Sequence, residues 1–255
     1  NSLRWYKYGY DNLNRITSGT DNTSDQRYSL QSIAYDKNGN ITNLLRKGHV
    51  VPNPVSTNST DFGIMDNLTY SYQPNSNKLL KVADAASTDT YGFRDDMLNT
   101  AADTADDYTY DTNGNMLTDT NKGIINITYN HLNLPTKVTF SSGNIQYIYN
   151  ATGIKLEKMV TVGTAITRTK YAGDFIYEKT GTGADVLVFF NTPEGYVEPV
   201  NASNYNLGFK YAFQYKDHLG NIRLSYTDAD GNGIIATSEI VEENNYYPFG
   251  LKHKG

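Results

Sequence analysis

The sequence predicts an all-β protein built from consecutive antiparallel β-hairpins. Three observations predict it: apolar and polar residues alternate with a period of two, Asn, Asp and Gly mark frequent turns, and tyrosine dominates the apolar composition. Only 38% of the 255 residues are hydrophobic, while 22 are Tyr. A tyrosine ring packs on a sheet face and keeps its hydroxyl in water, so this composition favours extensive, partly solvated sheet. Intrinsic disorder is disfavoured, because disordered segments are poor in aromatic and β-branched residues.

A repeated phrase of seven residues sets the hairpin positions. Residues 35–41 read YDKNGNI and residues 110–116 read YDTNGNM. Looser copies begin at five further tyrosines: Tyr10, Tyr72, Tyr91, Tyr129 and Tyr149. From position 72 onward the anchors are 19, 19, 19 and 20 residues apart, which is the length of about one hairpin. Each copy therefore predicts a strand, a tight turn and a second strand.

The turn chemistry predicts the hairpin tips at Asn38-Gly39 and Asn113-Gly114. Asn-Gly between alternating runs favours a two-residue type I′ turn, in which both central residues have positive φ. A lone hairpin is marginally stable in water, so the units are expected to pair edge to edge in one continuous curved sheet. The anchor tyrosines would then stack as a column across the strands.

Composition also indicates where the pattern is interrupted. Residues 49–65, 101–107 and 192–206 are rich in Pro, small or acidic residues and are predicted to be loops or insertions. We divide the chain into a repeat array over residues 1–166 and a β segment of different character over 167–255. Both ends stop within the pattern, so we expect unpaired edge strands there and association of the isolated chain.

Charge and hydropathy exclude several functional classes. The net charge is −5 with an isoelectric point near 5.3 and no basic cluster, so nucleic acid is not an expected partner. The longest apolar run, residues 186–190, is far shorter than the roughly 20 residues that cross a bilayer. The chain has no Cys, which excludes disulfides and thiol catalysis.

Sequence motifs for catalysis are absent, and we expect no enzyme. The four histidines, at positions 49, 131, 218 and 253, lack the spacing of a catalytic triad or a metalloprotease helix. His218 adjoins a Gly-Asn turn and is expected to hydrogen-bond the loop backbone. Adjacent acidic pairs point to opposite faces of a strand and are interpreted as solvated charge.

Three motifs resemble the bacterial Rhs/YD-repeat family, which is related to the shell-forming components of Tc insecticidal toxins and, more distantly, to teneurins. They are the Tyr-Asp-x-x-Gly-Asn repeats, the segment DHLGNIR at residues 217–223, and the segment YYPFG at residues 246–250. The last two are similar to the opening half of the Rhs-associated core. Together these motifs cover nearly the whole chain.

The resemblance implies a long β-sheet that spirals into part of a shell around a C-terminal toxin. It implies a bacterial protein that is secreted or displayed at the cell surface. The implied partners are the remainder of the parent chain, its toxin cargo, or other secretion and surface proteins. The family's self-cleavage motif contains Asp-Pro, and this sequence has no Asp-Pro, so no self-cleaving aspartate is implied here.

A surface adhesin or carbohydrate-binding β-repeat module is the alternative function. In that case exposed tyrosines and Trp5 would stack on sugars or on a partner surface. A shell wall would show a curved sheet with one face lining a cavity, whereas an adhesin would present an open aromatic groove.

One loop matches a calcium-binding pattern. Counting from Asp228, oxygen ligands occur at positions 1, 3 and 5 as Asp228, Asp230 and Asn232, with Gly at 6 and Glu239 at 12. The Ile234 carbonyl would supply the backbone ligand at position 7 of an EF-hand-type loop. The sequence therefore predicts one Ca²⁺ ion bound by Asp228, Asp230, Asn232, Ile234 and Glu239.

An empty hairpin turn remains the alternative for this loop, since Asp-Gly and Asn-Gly are ordinary turn formers. The repeats act as an internal control. Twelve-residue counting from Asp36 and Asp111 reaches Lys47 and Lys122, where the motif requires Glu.

Overall fold

The computed structural model describes residues 4–86, 90–96 and 104–253. The all-β prediction is confirmed: these residues form antiparallel strands joined in sequence order, with short 3₁₀ turns and no α-helix. The 3₁₀ turns span Ser59–Asp61, Thr120–Lys122, Tyr205–Leu207, Thr237–Glu239 and Pro248–Gly250. In the described part of the chain, no helix could cross a membrane.

The chain forms two compact units. Unit 1 contains Asn1–Gly123 and Asn245–Gly255. Its strands are β1 (Tyr6–Tyr10), β2 (Ile16–Asp21), β3 (Leu30–Tyr35), β4 (Ile41–His49), β5 (Phe62–Tyr72), β6 (Leu79–Asp84), β7 (Tyr108–Tyr110) and β8 (Met116–Asp119). Two short strands, designated β20 (Asn245–Tyr246) and β21 (Lys252–His253), pair with each other near the C-terminus.

Unit 2 contains Ile124–Asn244 and is a meander of eleven strands, each hydrogen-bonded to the next. They are β9 (Ile124–Tyr129), β10 (Pro135–Phe140), β11 (Gly143–Tyr149), β12 (Lys155–Val162), β13 (Ala165–Ala172), β14 (Phe175–Thr180), β15 (Val186–Thr192), β16 (Gly195–Pro199), β17 (Phe209–Lys216), β18 (Ile222–Tyr226) and β19 (Ile240–Glu243).

The sheet of unit 1 is interrupted, unlike the continuous sheet that we predicted. Strands β1–β6 form a sheet of their own. Beyond β6, the Asp107 carboxylate accepts the Val82 N–H at 2.8 Å. The Asp107 side chain thus accepts a backbone N–H that would otherwise donate to a neighbouring strand. The division at residues 166 and 167 remains a prediction based on motifs.

The predicted repeat anchors mark strand ends. Six of them are the last residue of a strand: Tyr10, Tyr35, Tyr72, Tyr110, Tyr129 and Tyr149. The tips at Asn38-Gly39 and Asn113-Gly114 are confirmed as the connections of β3 to β4 and β7 to β8. Tyr91 was predicted as a seventh anchor and is not one, because residues 90–96 form no strand.

Three further details of the sequence interpretation are wrong. The predicted loop over residues 49–65 includes the last residue of β4 and the first four residues of β5. The predicted loop over residues 192–206 contains β16, whose Gly195, Val197 and Pro199 are buried. The predicted type I′ turn is instead a three-residue loop, in which Gly39 and Gly114 alone have positive φ and the preceding Asn does not. This is the hairpin in which a turn is followed by a left-handed glycine that forms a bulge. Of the predicted loop over residues 101–107, residues 101–103 lie outside the described residues.

Candidate functional site

The turns that follow the anchors Tyr35 and Tyr110 are each organised by the acidic residue after the tyrosine. Asp36 Oδ1 accepts the N–H groups of Asn38 at 2.8 Å and Asn40 at 2.9 Å, and Oδ2 accepts the Asn40 side chain at 2.8 Å. The same three bonds recur around Asp111 and Asp217. Because one carboxylate binds both sides of the loop, it selects the three-residue turn over the type I′ turn.

These bonds also set the charge of the turns. The side-chain hydrogen bond from Asn40 is the main cause that lowers the pKa of Asp36. Asn115 and Asn221 lower the pKa of Asp111 and Asp217 in the same way. These Asp side chains therefore remain ionised to a lower pH than an ordinary Asp.

Two turns of unit 2 carry Asn in place of Asp. Asn130 accepts the N–H groups of Leu132 and Leu134 at 2.9 and 3.0 Å, and Asn150 accepts the corresponding pair. An amide therefore forms the same loop without a charge.

The anchor hydroxyls connect successive hairpins. Tyr35 donates to the Ile16 carbonyl at 2.7 Å, and Tyr72 donates to the Ile41 carbonyl at 2.8 Å. Equivalent bonds run from Tyr110 to Leu79 and from Tyr149 to Pro135. In each case the acceptor opens a strand of the preceding hairpin. We expected stacked rings at the anchors and did not predict these hydroxyl bonds, which fix the register between hairpins. The recurrence of Tyr instead of Phe at the anchors could have indicated them.

The YYPFG segment of unit 1 returns to the sheet of the first repeats. The Tyr247 hydroxyl donates to the Lys47 carbonyl at 2.9 Å, and its side chain is buried. Burial raises the pKa of this phenol. A Cβ on Gly48 would lie 2.6 Å from the Tyr247 hydroxyl, and a Cβ on Gly19 would lie 2.7 Å from Pro248. Small residues on the sheet therefore make room for the segment.

Aromatic rings surround Tyr247. Its ring meets Tyr28 edge to face at 6.1 Å, while His253 stacks on Tyr28 at 4.1 Å. The Arg46 guanidinium lies 5.1 Å from the Tyr247 ring centroid and binds the fully buried Asp66 at 2.6 Å. We call residues 245–253 the C-terminal strap, because they pack on the early strands of unit 1 through hydrogen bonds and ring contacts.

Buried carboxylates attach residues 91–96 to the same sheet. Asp66 accepts the Phe93 N–H, and Asp95 accepts the Asp84 N–H at 2.8 Å. A Cβ on Gly92 would collide with Asp66, so glycine is required at this approach. Desolvation is the main cause that raises the pKa of Asp84, and the nearby charges of Asp66 and Asp95 add to it.

A cavity of about 820 Å³ lies beside this segment, within the size range of small-molecule sites. Its walls include apolar and aromatic side chains together with Arg46, Arg94 and Lys122. Two of these cations pair with carboxylates, Arg46 with Asp66 and Lys122 with Asp119. Most of its charge is therefore neutralised within the protein.

The predicted calcium residues lie in the connection between β18 and β19 of unit 2. Ligand oxygens of Asp228, Asp230 and Glu239 lie within 4.8 Å of one another. Asn232 adjoins them, because its amide donates to Asp230 Oδ2 at 2.6 Å. The Ile234 side chain is exposed, and its N–H donates to the Asn232 side chain at 2.7 Å.

Glu239 is buried and bound to the backbone of its own loop. Its oxygens accept the N–H groups of Ala229 at 2.6 Å and Ala236 at 2.9 Å. These bonds are the main cause that lowers the pKa of Glu239. The loop thus brings together three carboxylates, one of which is held ionised. Such an arrangement can bind a cation or can close the loop by itself.

Comparison with known proteins gives a structural neighbour and no sequence match. No family model matches the chain, and no curated protein matches it. A crystal structure of TcdB2-TccC3-Cdc42, which contains a Tc toxin component, is similar over 98% of this chain, with a TM-score of 0.55 and 14% identity. The chain spans 14% of the length of that chain. The chain therefore shares the β-rich fold of a segment of a Tc toxin component.

Proposed function

We propose that this chain is a structural segment of the shell of a secreted bacterial Rhs-type toxin, which encloses a C-terminal cargo. The observation that carries the proposal is the chain of hairpins, four of which are bound to the preceding hairpin by an anchor hydroxyl. Each further unit adds one hairpin to the sheet, so repetition of the unit can build the wall of a shell. The similarity to part of a Tc toxin component supports the same function. The role is structural and not enzymatic.

The test uses the parent polypeptide. We expect a segment downstream of this chain to resist protease in the intact parent. Removing the hydroxyls with Tyr35→Phe, Tyr72→Phe and Tyr110→Phe together should make that segment cleavable, while Tyr215→Phe, which changes an exposed tyrosine, should leave it protected. Cleavage of the downstream segment in the wild-type parent would contradict enclosure.

An aromatic surface in unit 2 favours carbohydrate binding as a second candidate. Phe209, Tyr211 and Tyr215 alternate along β17, so they share one face, and they are 44%, 59% and 66% exposed. Tyr205 stacks near Phe209 at 6.3 Å with 14° between the rings. Binding on a glycan array that is lost in Tyr211→Ala would support this function and weaken the shell proposal.

We further propose that the loop of Asp228, Asp230, Asn232, Ile234 and Glu239 binds one Ca²⁺ as a structural clamp. The convergence of three carboxylates supports it. An ion that binds only the folded chain stabilises it by mass action. We expect calcium to raise the melting temperature of wild type and of Asp217→Asn, but not of Glu239→Gln. A melting temperature that is insensitive to both calcium and EDTA would show that the loop is only a turn.

A further inference from the structure

The chain contains three Asn-Gly pairs, and the structure gives them different surroundings. The pairs are Asn38-Gly39, Asn113-Gly114 and Asn232-Gly233. Asn-Gly is the pair most prone to deamidation, because glycine leaves its own backbone nitrogen free to attack the neighbouring amide. All three asparagines are exposed. The neighbours of the attacking nitrogen therefore decide which pair reacts.

In the two hairpin tips, the glycine nitrogen is bound to the backbone. Gly39 N–H donates to the Asp36 carbonyl at 3.2 Å, and Gly114 N–H donates to the Asp111 carbonyl at 3.1 Å. Both turns lie between paired strands, so turning the nitrogen toward the side chain would break the hairpin. A carbonyl oxygen is also too weak a base to take the proton.

At the third pair, the partner of the nitrogen is a carboxylate. Gly233 N–H donates to Asp228 Oδ2 at 3.1 Å. A carboxylate in hydrogen-bond contact with the proton of a nucleophile meets the geometric requirement for a general base. Residues 227–236 form no strand, so rotation of the Asn232 backbone breaks no ladder. It is opposed by the bonds of the Asn232 N–H to Asp228 Oδ1 and Asp230 Oδ1, each at 3.1 Å.

The Asn232 side chain is contacted at both of its polar atoms. Its Oδ1 accepts the Ile234 N–H at 2.7 Å, which stabilises negative charge that develops on this oxygen. Its Nδ2 donates to Asp230 Oδ2 at 2.6 Å. The attacking nitrogen, the carbonyl oxygen of the Asn232 amide and its leaving nitrogen are thus each hydrogen-bonded within one loop.

We propose that Asn232 is a self-modification site, which deamidates in the folded chain ahead of the other two pairs. The Gly233 nitrogen forms a bond to Asn232 Cγ while Asp228 accepts its proton. The Cγ–Nδ2 bond breaks, and the proton passes to the leaving amine, which departs as ammonia. Water then opens the resulting succinimide to give aspartate or isoaspartate.

The modification would change the charge of the loop. A carboxylate at position 232 would join Asp228, Asp230 and Glu239, whose ligand oxygens already lie within 4.8 Å of one another. Repulsion among the carboxylates would increase in the absence of a cation, and attraction for a divalent cation would increase. The reaction requires an Asp228 carboxylate that is not coordinated to a cation, so bound Ca²⁺ would slow it.

The test compares the three pairs within one molecule. The folded chain is incubated at neutral pH with EDTA, which keeps divalent cations from Asp228, and peptide mass spectrometry follows conversion of each asparagine. We expect Asn232 to convert several-fold faster than Asn38 and Asn113. In urea-unfolded chain the three rates should become similar, because folding creates the difference. Equal rates in the folded chain, or the same advantage of Asn232 in urea, would overturn the proposal.

Two variants separate the role of the base from that of the loop. Asp228→Asn keeps a hydrogen-bond acceptor but not a base, and should lower the Asn232 rate to that of the hairpin pairs. Asp217→Asn makes the same change in a turn without an Asn-Gly pair and should leave the rate unchanged. An unaltered rate in Asp228→Asn, with circular dichroism matching wild type, would refute the assignment.

Discussion

Units 1 and 2 use the same hairpin but bury very different amounts of it. In unit 1 a cluster of buried residues crosses the sheet, formed by Leu30, Ile33, Leu44, Leu68, Val82 and Tyr108. A second cluster includes Tyr28, Met65 and Tyr247. In unit 2 many apolar side chains of the meander remain largely exposed, among them Ile154, Val162, Tyr211 and Tyr215.

The difference lies in what covers the sheet. Unit 1 has two covering segments, residues 91–96 and the C-terminal strap, which are bound through Asp66 and Tyr247. The hairpin repeat by itself builds a sheet, and burial requires a second layer. We therefore expect changes in the covered unit to cost much more stability than matched changes in unit 2.

The largest effect is expected for Tyr247→Ala. This side chain is 3% exposed, and truncating a buried aromatic residue costs about 4 kcal/mol of unfolding free energy. Tyr215→Ala in unit 2 is the matched control and should cost under about 0.5 kcal/mol, because the residue is 66% exposed. Urea denaturation followed by circular dichroism measures both. Similar losses of unfolding free energy in the two variants would contradict the difference in burial between the units.

A slightly smaller effect is expected for Arg46→Ala. The variant leaves the fully buried Asp66 without its cation, which costs about 3 kcal/mol. In unit 2, Arg168 pairs with Glu157 at 3.0 Å with both side chains partly exposed, and Arg168→Ala should cost about 0 to 1 kcal/mol. Added salt should weaken the second pair more than the first. A small loss in Arg46→Ala would indicate that water reaches Asp66.

The anchor hydroxyls should contribute similarly in both units. Tyr110→Phe in unit 1 and Tyr149→Phe in unit 2 each remove one hydrogen bond to a carbonyl, which costs about 1 kcal/mol. The ring is retained, so packing changes little. Tyr215→Phe is the control with no expected loss. If Tyr149→Phe lost no more stability than this control, the anchor hydroxyl bonds would stabilise unit 1 only.

The smallest effects are expected in the pH dependence. The pKa of Asp217 in unit 2 is lowered, so its stabilisation is present above the unfolded pKa and is lost as the pH falls through the folded value. The pKa of Asp84 in unit 1 is raised, so protonation in acid stabilises the fold. Below about pH 4, Asp217→Asn should therefore be less acid-sensitive than wild type.

Asp84→Asn should show the opposite change. It should be more stable than wild type at neutral pH, and this advantage should shrink as the pH falls through the raised pKa of Asp84. Unfolding curves recorded at several pH values measure both slopes. The same sign of change in the two variants would contradict the contrast between an exposed turn and a buried carboxylate.

Local chemistry allowed the hairpins to be predicted from sequence. Tyr35, Asp36 and Gly39 specify a strand end, a turn and a left-handed residue within five positions, and the structure places all three so. The choice between a type I′ turn and the three-residue loop was wrong, because it depends on the Asp36 carboxylate capturing two N–H groups at once. Tyr91 fits the spacing, but residues 90–96 form part of the covering layer instead of a strand.

The loop that we predict to bind calcium also combines local features with features that only the fold decides. Its donors and their order follow from the sequence, and their convergence follows from a connection that spans β18 to β19. Sequence could not show that the Glu239 oxygens bind backbone N–H groups, since those bonds depend on the loop conformation.

By itself the sequence determined the all-β class, the hairpin anchors and the turn residues, because each depends on contacts within a few positions along the chain. The tertiary structure alone decided where the sheet is interrupted and what is buried. The Tyr247 hydroxyl meets the Lys47 carbonyl 200 residues away in the sequence, and Gly48 admits that contact because it has no side chain. No local pattern encodes such a pairing, since it arises only when strands distant in sequence are assembled around one core.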